Sequence, residues 1–399
     1  MLSLPRAIIH RKKVDAVQRF HPWIFSGAIA KIHGEVNDGD LVEAYSEDGN
    51  FLAIGLWGLG SIAIKVLSFQ PVETIQELLR DRLKQAFSLR KQIGLIDNPE
   101  TNCYRLINSE GDGLSGLIID IYGDTAVLQC HSLGTYRYRI EIAEALIDLY
   151  QGRLKSVYDK SSATLSRKPQ TQSQDSLLIG DSGSVGGEIR EHGHRFIVDW
   201  ERGQKTGFFL DQRENRHLFG QYARDRKVLN TFCYSGGFSV YAVAGGAREV
   251  HSIDSSVKAM EWTDRNIVAN CDPDGQARHT SFTGDVFNFM KECDDDYDAI
   301  VLDPPAFAKN LSARHSAMQA YKKLNLQALS KLKSGGLLFT FSCSQVVSVE
   351  NFAGAITAAA IDSGRRIQVL HQLTHPADHP TSIFHAEGAY LKGLVLSVS

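Results

Sequence analysis

Two short stretches carry residues able to make and break bonds. Ser342-Cys343-Ser344-Gln345 presents a thiol between two hydroxyls, and Asp303-Pro304-Pro305-Ala306-Phe307 presents a carboxyl ahead of a rigid proline turn. A thiolate is a strong nucleophile, and a nearby carboxyl can move a proton as charge develops on an adduct. A lone cysteine is by default a small buried hydrophobe. Cys343 stands apart because it follows the apolar run 335–341, and a helix start expected just beyond it would favour the thiolate through backbone amides and the helix dipole. The other cysteines, at 103, 130, 233, 271 and 293, show no CxxC pair and no metal-ligand spacing. Neither a disulfide framework nor a metal site is therefore expected, although Cys233 sits in a glycine turn where it could touch a ligand.

Such a pair suits a ring that must be activated before it reacts. Carbon 5 of cytosine is too weak a nucleophile to take a methyl group directly. A thiolate adding at C6 pushes electron density to C5, and an acid at N3 stabilises the adduct. Asp303 is the nearest acid in this scheme, with Pro304 and Pro305 stiffening the turn behind it. A further base must remove the C5 proton, and the sequence does not identify it.

The elements that must hold these residues follow from the rhythm after about residue 195, where strand and helix patterns alternate. Strands are predicted at 227–232, 250–254, 298–302, 337–341 and 390–398, which points to a doubly wound α/β sheet with a mainly parallel core. Ligands lie at the carboxyl ends of such strands. After the first strand comes Asn230-Thr231-Phe232-Cys233-Tyr234-Ser235-Gly236-Gly237, whose glycines would let backbone approach a ligand but whose spacing is not that of a pyrophosphate site. Asp254 and Ser255 end the second strand, Gly284-Asp285 the third and Asp303 the fourth. Asp254 can accept ribose hydroxyls and Asp285 an adenine amino group. Asp285 taken alone would read as a helix N-cap. An adenosine carrying an amino-acid tail, S-adenosyl-L-methionine, fits this series better than a dinucleotide.

The N-terminal third reads differently. Short strands and turns over residues 1–72 predict a small β-barrel, a helix is expected at 74–93, a hairpin at 117–129 around Tyr122-Gly123-Asp124, a helix at 140–150, and a polar loop at 161–175.

VLNTFCYSGGFS, the aspartate and serine after the second strand, DPPAF and FSCS, preceded by KTGFFLDQRENR at 205–216, together resemble the RlmI (YccW) family of large-subunit ribosomal RNA cytosine-5 methyltransferases. The likeness runs from Arg19-Phe20-His21-Pro22-Trp23-Ile24-Phe25-Ser26-Gly27 to the closing Tyr390-Leu391-Lys392-Gly393. It implies an N-terminal PUA RNA-binding domain (1–72), a small central α/β domain (73–190) and a C-terminal Rossmann-like class I methyltransferase domain (191–399). It also implies that Cys343 is the nucleophile, that Phe208, Phe209, Gln212 and Arg213 shape the cofactor end, and that the partner is 23S ribosomal RNA, naked or early in assembly. Many RNA cytosine-5 methyltransferases carry a second cysteine after the fourth-strand proline; this chain has Pro305 and Ala306 there, an absence the resembled family shares. Ala306 departs from the lysine that related sequences often show.

Composition sets the remaining bounds. At 399 residues, 43% hydrophobic and 22% charged, the chain reads as a two- or three-domain globular protein, and no apolar run approaches a membrane span. The cytoplasm is the expected location and a homodimer the expected assembly. A net charge of −3 speaks against a nucleic-acid partner at face value. By segment the picture changes: residues 1–31 carry +5 and 32–72 carry −5, while 304–333 carry +6 beside −6 for 284–303. Arg11, Lys12, Lys13, Arg19 and Trp23 on the N-terminal arm, and Lys309, Arg314, Lys322 and Lys323 after DPPAF, are the expected RNA contacts, with Phe307 and Tyr321 as stacking candidates. Two other readings stay open: methylation at a base nitrogen, with Cys343 structural, and an RNA-binding assembly factor without turnover.

Overall fold

A computed structural model describes residues 4–165, 173–181, 186–294 and 296–399. The expected polar loop at 161–175 is described only at its ends, where Ser162–Leu165 form one helical turn; residues 166–172 lie outside the described residues. The chain forms two compact units. The first comprises Met1–Arg190, Val198–Leu210 and Ala377–Gly388, and the second Glu191–Ile197, Asp211–Pro376 and Ala389–Ser399.

The first unit opens with a curled six-stranded sheet, in the order Trp23–Phe25, Ile62–Ser68, Phe51–Trp57, Leu41–Ser46, Arg6–Ile9, Ile29–His33. Alternation along Leu41–Ser46 turns Val42 and Ala44 into a core with Ala7, Ile9, Ile24, Ile64 and Val66. Gly55 lets the sheet bend: a Cβ there would stand 2.3 Å from the Lys65 carbonyl oxygen, at the point where the register shifts. A second, five-stranded sheet follows, in the order Ser176–Ile179, Ser156–Asp159, Thr125–Cys130, Leu117–Tyr122, Cys103–Asn108. Its central pair is the expected hairpin around Gly123. Thr74 caps the helix Ile75–Gln92, whose Ile75, Leu79, Leu83 and Ala86 are buried at the spacing the sequence announces.

The second unit is built on seven strands: β1 (Lys227–Thr231), β2 (Glu249–Asp254), β3 (His279–Thr283), β4 (Tyr297–Leu302), β5 (Leu332–Ser342), β6 (Ile367–Leu373) and β7 (Lys392–Val398). Their order is β3-β2-β1-β4-β5-β7-β6. All neighbours are parallel except β7, which runs against both β5 and β6. The longer helices are α1 (Arg213–Gln221), α2 (Gly237–Ala244), α3 (Val257–Asn270), α4 (Val286–Glu292), α5 (Arg314–Lys331) and α6 (Val349–Ser363), with a short turn of helix, Pro273–Ala277, before β3. β1 and β4 are almost wholly buried, as central parallel strands must be, with Val228-Leu229 and Ala299-Ile300-Val301-Leu302 as their apolar stretches. Strand order reverses between β1 and β4, so a crevice is expected beyond their carboxyl ends.

Candidate active site

Parallel pairing of β4 with β5 sets Leu302 beside Thr340, so the chain after each strand leaves the sheet at the same edge. This brings DPPAF and SCS together. The Cys343 thiol donates to the Pro304 carbonyl at 3.8 Å, and the Ser344 hydroxyl to the Ala308 carbonyl at 2.6 Å. Ser342 Oγ donates to the Tyr321 hydroxyl at 2.8 Å, tying α5 under the same loop. Cys343 is half-buried, with its thiol beside the residue that follows Asp303.

The helix expected beyond Cys343, from about Val349, is present, but it starts too far along the chain to act on the thiol. α6 begins at Val349, capped by the Ser348 side chain, so its dipole lies a full turn or more beyond the thiol. The cation beside the sulfur is Lys392. Across the β5–β7 ladder it stands opposite Ser342, and its ammonium donates at 2.6 Å to both the Ser344 and Val347 carbonyls. Burial draws Lys392 below the ordinary ammonium range, and the Cys343 sulfur opposes that shift. Lys392→Met would leave two inward carbonyls without a donor. We expect a loss of about 2 kcal/mol in urea unfolding, together with slower alkylation of Cys343 by iodoacetamide at neutral pH.

Asp303 is tuned by a second carboxylate. Burial pushes its carboxyl up to about 7, Asp211 adds to the rise, and a hydrogen bond from Gln212 and the Arg216 charge oppose it. Asp211 Oδ2 accepts from the Tyr390 hydroxyl at 2.7 Å, while its Oδ1 is buried with no partner. Arg216 is held by Glu191 at 2.8 and 2.6 Å. Asp211, Arg216, Tyr390 and Lys392 were not singled out as site residues from the sequence. The only signal was their place in KTGFFLDQRENR and YLKG, because their couplings span the whole unit.

At the end of β2, Asp254 accepts from the Tyr234 amide (3.1 Å) through one oxygen and from the Ser256 amide (2.9 Å) through the other. Each oxygen keeps a lone pair, and the residue is half-exposed, as a ribose ligand requires. The β1 turn holds Phe232 and Tyr234 at positive φ (53° and 48°), a sparsely populated conformation that clusters at ligand sites. Ser255 is exposed, and Ser235 is buried with its carbonyl accepting from Asn266. Asp285 is exposed and does cap α4, accepting from the Asn288 amide at 2.9 Å.

Several expectations change here. The glycines answer to the protein itself: a Cβ on Gly236 would lie 2.6 Å from Thr263 Cγ2, and one on Gly237 2.7 Å from Arg216 Cδ. Asn230 is 1% exposed and its amide donates to Ser239, which continues to Ser252 and His279, so its side chain lies inside a buried network under α2. Cys233 is buried against Met260, and burial raises its thiol far above the ordinary range, so it is packing. Gln212 reaches Asp303, whereas Arg213 is buried and pairs with Glu214 at 3.0 Å. Phe208 and the half-buried Phe209 belong to the first unit, where the Phe208 amide donates to the Tyr122 hydroxyl at 3.2 Å.

The expected RNA contacts divide similarly. Arg11, Lys12, Lys13, Arg19, Lys309 and Arg314 are exposed and join no ion pair among the described residues. Lys322 pairs with Asp362 at 2.7 Å, and Lys323 is exposed over the Phe287 ring. Tyr321 is fully buried and cannot stack on a base; half-buried Phe307 packs against it. Trp23 donates its indole N–H to Glu110 at 2.8 Å and has Lys65 over its ring. Among the described residues no helix is long and apolar enough to cross a membrane.

A sheet with the order 3-2-1-4-5-7-6 and a reversed seventh strand, an acid after β2 and a topological switch between β1 and β4 define, with the matching family model, an S-adenosylmethionine-dependent methyltransferase. The model of the S-adenosylmethionine-dependent methyltransferase family matches residues 164–389, and that of the PUA-like domain residues 7–69. The ribosomal RNA large subunit methyltransferase I of Tolumonas auensis is 39% identical over 394 residues, covering 97% of this chain and 98% of its own. That of Alteromonas mediterranea is 35% identical, with 99% of each chain covered. The chain belongs to the ribosomal RNA large subunit methyltransferase I family. Its fold is shared with a SAM-dependent methyltransferase from Streptococcus mutans, at a TM-score of 0.83 and 24% identity, over 98% of this chain and 99% of that one.

Proposed function

We propose that this methyltransferase acts on C5 of a cytosine in large-subunit, 23S ribosomal RNA, with Cys343 as nucleophile and Asp303 as the acid at N3. The observation that supports the reading is the 3.8 Å contact of the Cys343 thiol with the carbonyl of Pro304, the residue that follows Asp303. S-adenosylmethionine, when bound, supplies an electrophilic methyl group. Asp254 would hold its ribose, with Asp285 toward the base. The Cys343 thiolate adds to C6 of the ring, the C5=C6 π electrons move toward C4 and N3, and the Asp303 proton passes to N3. The C5 so enriched would form its bond to the methyl carbon that S-adenosylmethionine supplies, the cofactor sulfur leaving as a neutral thioether. A base then takes the C5 proton, the C5=C6 bond re-forms, the Cys343 thiolate is expelled, and N3 returns its proton to Asp303.

In this reading residues 1–72 bind RNA, 73–190 form the central domain, 191–399 carry the chemistry, and the cytoplasm is the site of action. Labelled methyl transfer to 23S ribosomal RNA followed by nucleoside analysis tests it. 5-Methylcytidine is expected; a product methylated on a base nitrogen overturns it, and cofactor binding without any transfer points to an assembly factor. Asp254→Ala should weaken S-adenosylmethionine binding by about 10- to 100-fold in calorimetric titration, the range for losing charge-assisted hydrogen bonds.

A further inference from the structure

The first unit leaves an aromatic face uncovered. Phe20 is 47% exposed, Phe25 45%, Phe384 52% and Ile383 91%. These side chains are contiguous. The Phe20 ring lies 5.2 Å from Phe69 and 5.3 Å from Phe384, and His21 lies 5.9 Å from Phe25 and 5.7 Å from His385, which in turn meets Trp23 at 4.2 Å.

Two features show that the face is built. Phe20 adopts φ 63°, a left-handed conformation that a bulky residue avoids unless its surroundings enforce it. The segment carrying Ile383 and Phe384 comes from far along the chain and is tightly anchored below its exposed tip. Arg90 donates to the Asp378 carbonyl at 2.7 Å, the Arg105 amide to Asp378 Oδ2 at 2.9 Å, and the Asn108 amide to the Pro380 carbonyl at 2.9 Å. Gly111 is required for this seat, since a Cβ there would stand 1.8 Å from the Pro380 oxygen.

Charge indicates the occupant. Exposed Arg11, Lys12, Lys13 and Arg19 lead directly into Phe20, are in no ion pair among the described residues, and are opposed within residues 1–31 by Asp15 alone. The nearby acids are engaged: Glu110 accepts from Trp23 and Ser115, and Glu387 pairs with His385 at 3.6 Å. Open ring faces beside uncompensated cations match unpaired nucleotides, whose bases stack while their phosphates meet Arg and Lys. We infer that Phe20, Phe25, Ile383 and Phe384 form a stacking platform for unpaired bases of the RNA substrate, with Arg19 and the Arg11–Lys13 run on its phosphates. This rests on the RNA reading above.

The test uses the full chain with in-vitro transcribed 23S ribosomal RNA at several salt concentrations. Phe20→Ala with Phe384→Ala should raise Kd by about tenfold or more, with an unchanged slope of log Kd on log salt. Arg19→Gln should reduce that slope, and Phe384→Trp should keep wild-type affinity. Thermal midpoint and S-adenosylmethionine affinity report folding; should the double variant unfold, Ile383→Ser on the same face must still weaken RNA binding. Unchanged affinity in a folded variant overturns the platform while leaving the methyltransferase reading intact. So does a variant that loses self-association in sedimentation but keeps its RNA affinity, since the face would then belong to a second copy. A wild-type chain that binds no RNA overturns both.

Discussion

Replacing Cys343 by alanine is expected to lower methyl transfer to 23S ribosomal RNA by at least ~10³-fold, about 4 kcal/mol of barrier. Without the sulfur, C5 stays unactivated and no remaining side chain in the loop can replace the bond to C6: Ser342 is spent on Tyr321 and Ser344 on Ala308. S-adenosylmethionine affinity should not change, because the proposed cofactor contacts sit at the ends of β2 and β3. RNA carrying 5-fluorocytidine should form a covalent adduct with the wild-type chain that survives denaturing electrophoresis, since fluorine blocks the loss from C5 that releases the thiol. Substantial transfer by the alanine variant, or no adduct, would remove the thiolate from the mechanism and favour a base nitrogen as acceptor.

The second large effect concerns Asp303→Asn, which should cost about 10²–10³-fold in kcat/KM, the usual range for losing a general acid. Its pH dependence is the sharper reading. With a carboxyl pushed up to about 7, the proton-donating form of Asp303 persists through the acid range and is lost as pH rises. The wild-type kcat/KM should therefore fall on its alkaline side with an apparent pKa near 7, and the asparagine variant should lack that limb. Stability follows the same sign. The fold prefers the neutral carboxyl, so the contribution is complete below the ordinary carboxylate range and disappears as pH rises through about 7. A wild-type profile flat from pH 6 to 9 would exclude Asp303 as the acid.

Much of the second unit was legible because short apolar stretches such as Val228-Leu229, Ala299 to Leu302 and Leu337 to Phe341 alternate with helical patterns, and the polar residues after them mark the ligand edge. Thus Asp254, Asp303 and Cys343 could be picked out from position alone. What the text hid was register and long-range charge. β6 carries Ile367, Val369, Leu370 and Leu373, yet its side chains are half-exposed or exposed throughout, and it was not picked out as a strand. Lys392 lies 49 positions after Cys343 and reaches it only because β7 runs antiparallel to β5. The helix expected from about Val349 was a plausible local source of positive potential, but it starts more than a turn beyond the thiol, and tertiary structure supplied Lys392 instead. Asn230 shows the converse: it occupies the right strand, yet the two-residue alternation turns its side chain under α2 toward Ser239. Exposure was equally hidden. Nothing in the composition of Ile383-Phe384 distinguishes a surface platform from a core strand.

The return of Ala377–Gly388 to the first unit has a consequence for synthesis. Arg90, fully buried, gets one of its acceptors from Asp378, and Asn108 gets its own from Pro380, so the N-terminal unit lacks part of its interior until residue 388 has left the ribosome. At about 5–20 residues/s the roughly 200 residues after Arg190 take on the order of 10–40 s. Throughout that interval the nascent first unit exists without its final strap, so completion of the two units is nearly simultaneous. The first unit cannot be completed ahead of the second, and its surface around Ile383 and Phe384 is finished only when the second unit is almost fully made.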